Sequence, residues 1–423
     1  MTPGALFAPA ACAWLVGAAA PVVPPPPGPT PAGPDGARPV CLGAGAEVAA
    51  RLRAELPDLG LARAFSLPRA QLSLVLGWGG AAAARVELAA VRSGGETGYV
   101  GVDGESIVPR VQIAEARFGW PAAGLLLAAG LVDDPWVALG DAAWGMRAVA
   151  PTLGEERGWL DRSDLGGTLA WTAPRALATL SVSLTSGEGL RLRERNDGKD
   201  LTAVATVRPL ALAATGALLE VSFLVRDGSR GLDQVRDHRL GARAALHAGA
   251  FGAGVEVLAA TGVAGDPART PKGLSAWVTL DALGPALAFA RVDVTSERLG
   301  DPAAAAFTAR AGGGVRLPFR GPVAPLALVA AYEGTHTGAA AAAVAGAAEA
   351  TTLHVFWIQL AFRLAGAVEL GARPAPAASA APPALTAPAA PASAPSGPAS
   401  APSGPASAPA GPASAPAPAV GAR

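Results

Sequence analysis

The stretch RAQLSLVLGW, Arg69 to Trp78, is followed by Gly79-Gly80 and by a second apolar segment that runs to Arg92. Large apolar residues occupy every second position of the first segment: Leu72, Leu74, Leu76 and Trp78. Because successive side chains of a strand point to opposite faces, this alternation predicts a strand of about ten residues with one apolar face. The glycine pair and the alternation that follows it predict an antiparallel partner strand. A hairpin of this kind suits a barrel wall with lipid outside and water inside.

The composition agrees with strands better than with a large dry core. Among 423 residues there are 53 Gly and 40 Pro, and Ala is the commonest of the apolar residues. Small residues bury little surface each, so a compact core built from them would be weak. The formal net charge is zero, which gives no reason to expect nucleic acid as a partner.

The two ends of the chain differ from its middle. Residues 1–20 contain an apolar run that ends in small residues and are expected to be a signal peptide, although no Lys or Arg precedes Arg38. Residues 21–45 form a Pro-rich lead-in. Residues 374–423 consist almost entirely of Ala, Pro, Ser and Gly, with a heptapeptide that recurs at Gly397, Gly404 and Gly411, and they predict a disordered periplasmic tail that contacts the cell wall.

Between these ends, residues 46–373 repeat the hairpin pattern. About sixteen arms alternate apolar and polar positions, and the connections alternate between short and long; the long ones include Asp133 to Ser163 and Asp227 to Arg236. Residues 46–56 fit either a strand or a helix, and a β-bulge near Ala114 would restore the alternation of the fourth arm. The fold class that follows is all-β, a transmembrane antiparallel β-barrel of about sixteen strands with short periplasmic turns and long external loops.

The alternation also predicts which side chains face inward. The pore-lining candidates are Arg69, Arg85, Glu87, Arg226, Arg239, Arg243, Arg291, Arg310 and Arg316, which make a net basic wall. The 133–163 connection carries the constriction candidates Asp133, Asp134, Asp141, Arg147, Glu155, Glu156 and Arg157. If it folds inward, its acids would face the basic wall and set up a transverse field; the alternative is that it covers the mouth. Each wall arginine serves either selectivity or a structural ion pair.

Several short motifs resemble the phosphate-selective porin O and P family of bacterial outer membranes. They are Phe65 with Arg69-Ala70-Gln71-Leu72, Glu115-Ala116, Gly130 with Asp133-Asp134-Pro135-Trp136, Arg162-Ser163-Asp164-Leu165-Gly166, and Asn196-Asp197-Gly198-Lys199-Asp200. The resemblance covers roughly Ala46 to Arg373 and implies a sixteen-stranded channel for small anions or other small solutes. Two departures put phosphate selectivity in doubt, because Lys is almost absent and the chain continues past its last aromatic-rich arm.

We therefore expect a porin in the bacterial outer membrane that lets small hydrophilic solutes or anions diffuse passively. We expect no enzyme, cofactor or metal: the four His residues lack metal-ligand spacing, and His354, which has the parity a lipid hydrolase would need, has no nucleophile motif beside it. Two alternatives stay open, a secreted or surface all-β protein with a binding or structural role and a closed barrel without channel activity. The expected partners are solutes and outer-membrane lipid; the sequence leaves monomer and homotrimer open.

Overall fold

The computed structural model describes residues 40–56, 62–78, 81–94, 105–189, 197–212, 217–231, 233–283, 285–297, 304–317, 326–339 and 351–370. The predicted signal peptide, residues 21–39 of the Pro-rich lead-in and the predicted tail lie outside these residues.

Sixteen antiparallel strands form one closed barrel in which every strand pairs with its neighbours in the chain and the last pairs with the first. The strands are β1 Val40–Leu56, β2 Ala62–Trp78, β3 Ala82–Gly94, β4 Glu105–Trp120, β5 Leu125–Asp133, β6 Ser163–Thr172, β7 Ala178–Thr185, β8 Asp200–Leu212, β9 Ala217–Arg230, β10 Val235–Ala248, β11 Phe251–Thr261, β12 Lys272–Leu283, β13 Ala286–Ser296, β14 Ala305–Leu317, β15 Leu326–Thr337 and β16 Thr351–Leu370. Two helices, α1 Pro135–Trp144 and α2 Leu153–Glu156, lie between β5 and β6, and short 3-10 turns occupy Pro121–Ala123, Pro174–Ala176 and Val263–Gly265. The predicted fold class is confirmed.

The outer face of the barrel is apolar. Leu72, Leu74 and Leu76 of β2 are 43%, 44% and 48% exposed. Large apolar side chains that are this exposed on strand after strand would be unfavourable in water but suit the hydrocarbon of a bilayer. Trp78 and Trp120 lie beside short turns and are exposed, as an interfacial aromatic girdle requires. In the described part of the chain, no helix has the length and apolar character needed to cross a membrane.

The structure decides or adjusts three local predictions, which concern the conformation and the start of β1 and the irregularity of β4. Residues 46–56 form a strand rather than a helix, and that strand begins at Val40, so residues 40–45 belong to the wall rather than to the lead-in. The irregularity predicted near Ala114 of the fourth arm lies at Gln112, because Glu87 pairs with Ile113 and Leu88 with Val111. As a result Val111 faces outward, while Ile113 turns inward together with Glu115.

The connection predicted from Asp227 to Arg236 is much shorter than expected. β9 continues to Arg230 and β10 starts at Val235, and the two strands are paired along this whole stretch. The alternation of large apolar residues ends earlier because the outward positions here are polar, Asp227, Arg236 and His238. The hairpin therefore carries its ladder beyond the apolar belt.

Candidate pore and internal loop

The segment between β5 and β6, residues 134–162, is here called the internal loop. Its first part is the helix α1, and the sequence gives local reasons for it. The Asp134 carboxylate Oδ1 accepts hydrogen bonds from the backbone N–H groups of Trp136 and Val137, each at 2.9 Å, and Pro135 occupies the first helical position. Gly145 ends the helix with φ 69°, a left-handed conformation that glycine adopts without strain. Burial raises the pKa of Asp134 above its ordinary value.

Apolar side chains of the internal loop pack against the inner wall in two clusters. In the first cluster, Trp136, Leu153 and Trp159 meet inward side chains of the wall, Leu224 of β9 and Leu258 of β11. The loop therefore lies inside the barrel, not over its mouth. Each of these five side chains is at most 2% exposed, so this part of the lumen is dry.

The second cluster lies further around the wall. Trp144 packs edge-on against Trp277 of β12 and Phe289 of β13, with ring centroids 6.4 and 6.1 Å apart. Phe289 stacks on Trp357 of β16 at 6.5 Å. Edge-to-face and stacked pairs of this kind add about 0.5–1.5 kcal/mol each beyond the area they bury. The loop thus contacts wall strands from β9 to β16.

Wall arginines hold the backbone of the internal loop by donating to its carbonyl groups. Arg243 donates to Trp136 O at 3.2 Å, Arg239 to Trp159 O at 2.6 Å, Arg291 to Pro151 O at 2.6 Å and Arg51 to Val149 O at 2.8 Å. An irregular backbone inside a barrel has carbonyls without partners, and buried carbonyls need donors. The guanidinium groups of the wall arginines supply these donors, so the loop carbonyls need no neighbouring strand to pair with.

The wall arginines are also paired with wall carboxylates. Arg243 Nη2 lies 2.8 Å from Glu256 Oε2, Arg291 Nε 2.9 Å from Asp293 Oδ1, and Arg226 Nε 2.7 Å from Asp200 Oδ2. Arg310 contacts Asp293 and Glu333, both at 2.8 Å, together with Glu156 of the internal loop. The sequence left two roles open for each wall arginine, selectivity or a structural ion pair. These contacts agree with the structural ion pair.

The acids of the internal loop form a chain of ion pairs toward the opposite wall. Arg147 lies 2.6 Å from Glu155 and 2.5 Å from Asp141, which also contacts Arg162 at 2.5 Å. Arg162 reaches Asp133 at 3.2 Å. Asp133 in turn lies 2.7 Å from Arg85 of β3. Asp141 and Glu155 thus pair with arginines of the loop itself rather than facing an unpaired basic wall, and Glu156 pairs with Arg310 of the wall.

The predicted residues are therefore brought together in the lumen, and most of the pore-lining candidates are buried. The buried candidates are Arg85, Glu87, Arg226, Arg239, Arg243, Arg291 and Arg310. Arg69 lies 2.9 Å from Glu47 and Arg316 pairs with Asp281, with side chains 17% and 35% exposed. Arg157 donates to Thr308 Oγ1 at 3.1 Å.

The sequence reasoning missed the apolar part of the inner wall. Leu224, Leu258, Trp277, Phe289 and Trp357 have the parity of the inward arginines, and that parity was the available signal. It was overlooked because the lumen was expected to be polar throughout. The His354 side chain faces outward and forms a 2.7 Å hydrogen bond with the Tyr332 hydroxyl.

A cavity of about 220 Å³ remains between the internal loop and the wall. Its lining includes Arg51, Arg53, Arg147, Arg310 and Glu333. The Arg51 guanidinium stacks on Trp357, 4.0 Å from the ring centre. In the described part of the chain, no group of three or more His, Cys, Asp or Glu side chains is arranged to hold a metal ion.

No protein-family model and no curated protein sequence matches this chain. Solved structures do resemble it. OprB of Pseudomonas putida has 9% identity and a TM-score of 0.51 over 77% of this chain and 94% of its own. The outer membrane channel DcaP of Acinetobacter baumannii has 11% identity and a TM-score of 0.50 over 77% of this chain and 97% of its own. At these identities the likeness concerns the fold.

Proposed function

We propose that this chain is a bacterial outer-membrane porin through which small hydrophilic solutes diffuse passively, with the internal loop as its constriction. One observation carries the proposal: a closed barrel with an apolar outer face holds a loop inside its lumen, fixed to the wall by arginines and aromatic rings. In this proposal Arg69, Arg316 and the cavity residues Arg51 and Arg310 line the water path. No catalytic step is part of it.

The proposal does not include phosphate selectivity. A basic ladder selects anions when its cations lack carboxylate partners, but the inward arginines contact Glu or Asp at most of the predicted positions. The resemblance to the phosphate-selective family therefore supports a channel and its strand number, and an anion preference is left to measurement. Export by a signal peptide, a homotrimer and contact of the 374–423 tail with the cell wall stay predictions.

A second candidate is a barrel whose internal loop closes it. The two dry clusters favour this candidate because they hold the loop against the wall at separate places. It differs from an open porin in one measurable respect, since the intact protein would conduct only when the loop moves.

Planar-bilayer recording of the refolded protein tests both candidates. The main variant replaces residues 137–160 with a short Gly-Ser linker, and the control replaces residues 264–268, a largely exposed part of an external connection, in the same way. For an open porin we expect discrete steps from the intact protein, larger steps from the main variant and unchanged steps from the control. The reversal potential across a salt gradient gives the ion preference of each.

The outcomes separate the candidates. Steps from the main variant alone would establish the closed barrel and overturn the open porin. Folded protein that gives no steps in either form would overturn both and favour the structural or binding role. Folding is checked beforehand by heat-modifiable migration in gels, so that a silent sample is informative.

A further inference from the structure

A furrow crosses the outer face of β10 to β13 near their external ends. Its volume is about 640 Å³, and its outward lining is Leu240, Ala242, Val257, Ala259, Leu274 and Val294. The floor is low where Ala242 and Ala259 stand between larger neighbours, because an Ala side chain projects little from the sheet. The furrow is apolar throughout this lining.

The furrow lies within the external leaflet of the membrane. Strand pairing sets Lys272 beside Ala259 and Ser296 at the external end, and Leu274 lies beside Val257 further in. From Lys272 to Leu274 the strand advances about 7 Å, or about 5 Å along the membrane normal at a tilt of about 40°. Half of an apolar band of about 25 Å is longer than this distance, so the furrow does not pass the middle of the membrane.

Cations stand at the external end of the furrow. Lys272 is exposed on the outer face and has no carboxylate within salt-bridge distance among the described residues. Arg236 lies further out on β10, is 76% exposed, and its Nε is 3.9 Å from Asp227, which is 59% exposed. His238 also contacts Asp227, at 2.9 Å. Exposed pairs of this kind contribute little, so Arg236 is available to another anion.

We propose that this furrow binds one phosphorylated lipid of the external leaflet, with an acyl chain along Ala242 and Ala259 and a phosphate at Lys272. An apolar furrow that lies below a cation at head-group level is complementary to an amphiphile with an apolar chain and an anionic head. Each buried CH₂ contributes about 0.8 kcal/mol and each basic side chain near an anionic head group about 1 kcal/mol. The proposal rests on the outer-membrane location proposed above, but not on conduction.

Native mass spectrometry of the detergent-solubilised full chain tests this. The probe is diphosphoryl lipid A, with phosphatidylcholine as the reference lipid. We expect wild type to retain one lipid A molecule and K272Q to retain about fivefold less, which corresponds to the loss of one cation of about 1 kcal/mol. K199Q is the matched control, because Lys199 is the other lysine of the chain and is also exposed.

A second pair of variants tests the furrow without changing charge. A242W fills it and should abolish retention, whereas A288W, which alters an exposed alanine near the short-turn end of β13, should not. Equal retention by K272Q and K199Q, or full retention by A242W, would overturn the proposal. So would a change of oligomeric mass in A242W, because that result would assign the furrow to a second copy.

Conductance of the same samples keeps this test independent of the porin test. The substituted residues face outward, so K272Q and A242W should conduct like wild type. If K272Q and A242W lose the lipid but show normal conductance steps, the result supports the lipid site independently of the ion preference. If the wild-type barrel retains the lipid but does not conduct, the porin proposal is overturned and the lipid site is not.

Discussion

Arg243 shows what an inward arginine does in this barrel. Its Nε and Nη2 lie 3.0 and 2.8 Å from Glu256 Oε2, and its guanidinium stacks 4.0 Å above the Trp136 ring. Gly140 gives it room, because a Cβ there would lie 2.6 Å from Nη2. One side chain thus neutralises a buried acid and fixes α1 to the wall.

Replacing Arg243 with Met should lower the free energy of unfolding by about 3–5 kcal/mol, because Glu256 would be left buried without a cation. Urea unfolding in lipid vesicles, followed by tryptophan fluorescence, measures the change. The double variant R243M/E256M should recover most of the loss, since no unpaired charge remains.

The matched control is Arg316, whose pair with Asp281 is 35% and 43% exposed. R316Q should cost less than about 1 kcal/mol, because solvent screens an exposed pair. Equal losses in R243M and R316Q would show that burial does not govern the strength of these pairs.

At the scale of elements, α1 depends on its N-cap residue, Asp134. Asp134 accepts from two backbone N–H groups, yet its burial disfavours the carboxylate and raises its pKa. The side chain is therefore a good cap and an unfavourable buried charge. Asparagine keeps an acceptor oxygen and carries no charge.

D134A should lower the free energy of unfolding by about 1 kcal/mol through loss of the cap, whereas D134N should lower it less at neutral pH. The direction in which stability changes with pH follows from the raised pKa of Asp134. Protonated Asp134 contributes its full stabilisation below the ordinary pKa of 3.8. This contribution is lost as the pH rises through the raised pKa of Asp134 in the folded protein.

Wild type should accordingly lose stability relative to D134N as the pH rises through this range. Urea unfolding of both proteins over a pH series measures the difference. A difference that stays constant with pH, or that changes in the opposite direction, would show that the two proteins do not differ by this titration.

At the scale of the whole molecule, closure joins the two ends of the described chain. β1 pairs with β16 from Val40 with Leu370 to Leu56 with His354, a ladder without a register shift. A closed barrel leaves no strand edge unpaired, and in lipid an unpaired edge costs several kcal/mol for each group. The barrel therefore requires β16, and we expect that the Pro-rich sequence after residue 373 does not extend the ladder.

Removing residues 374–423 should leave a barrel that still migrates in a heat-modifiable manner in gels, with an unchanged unfolding midpoint. Removing residues 351–423 should abolish that behaviour, since β1 and β15 would both lose a partner. A barrel lost in the shorter truncation would mean that the tail takes part in folding or assembly.

Sequence alternation was sufficient to predict the wall. Period-2 patterning specifies which face of each strand is apolar, and a slip by one residue would place arginines such as Arg239 and Arg243 in lipid, which fixes the register. The prediction was less accurate at strand ends. The β9–β10 hairpin extends beyond the apolar belt, where water no longer requires alternation. Residues 40–45 show no polar alternation because their inward positions are Cys41, Gly43 and Gly45.

The sequence by itself thus determined a transmembrane barrel of about sixteen strands, the inward parity of its arginines and the place of its longest connection. Only the tertiary structure decided that residues 134–162 lie inside the lumen, that Trp144 and Trp277 make part of it dry, and that Arg310 pairs with Glu156. The physical reason is one of range. Alternation is imposed residue by residue by the membrane, whereas a loop's partners come from strands remote in the chain that only barrel closure brings opposite it.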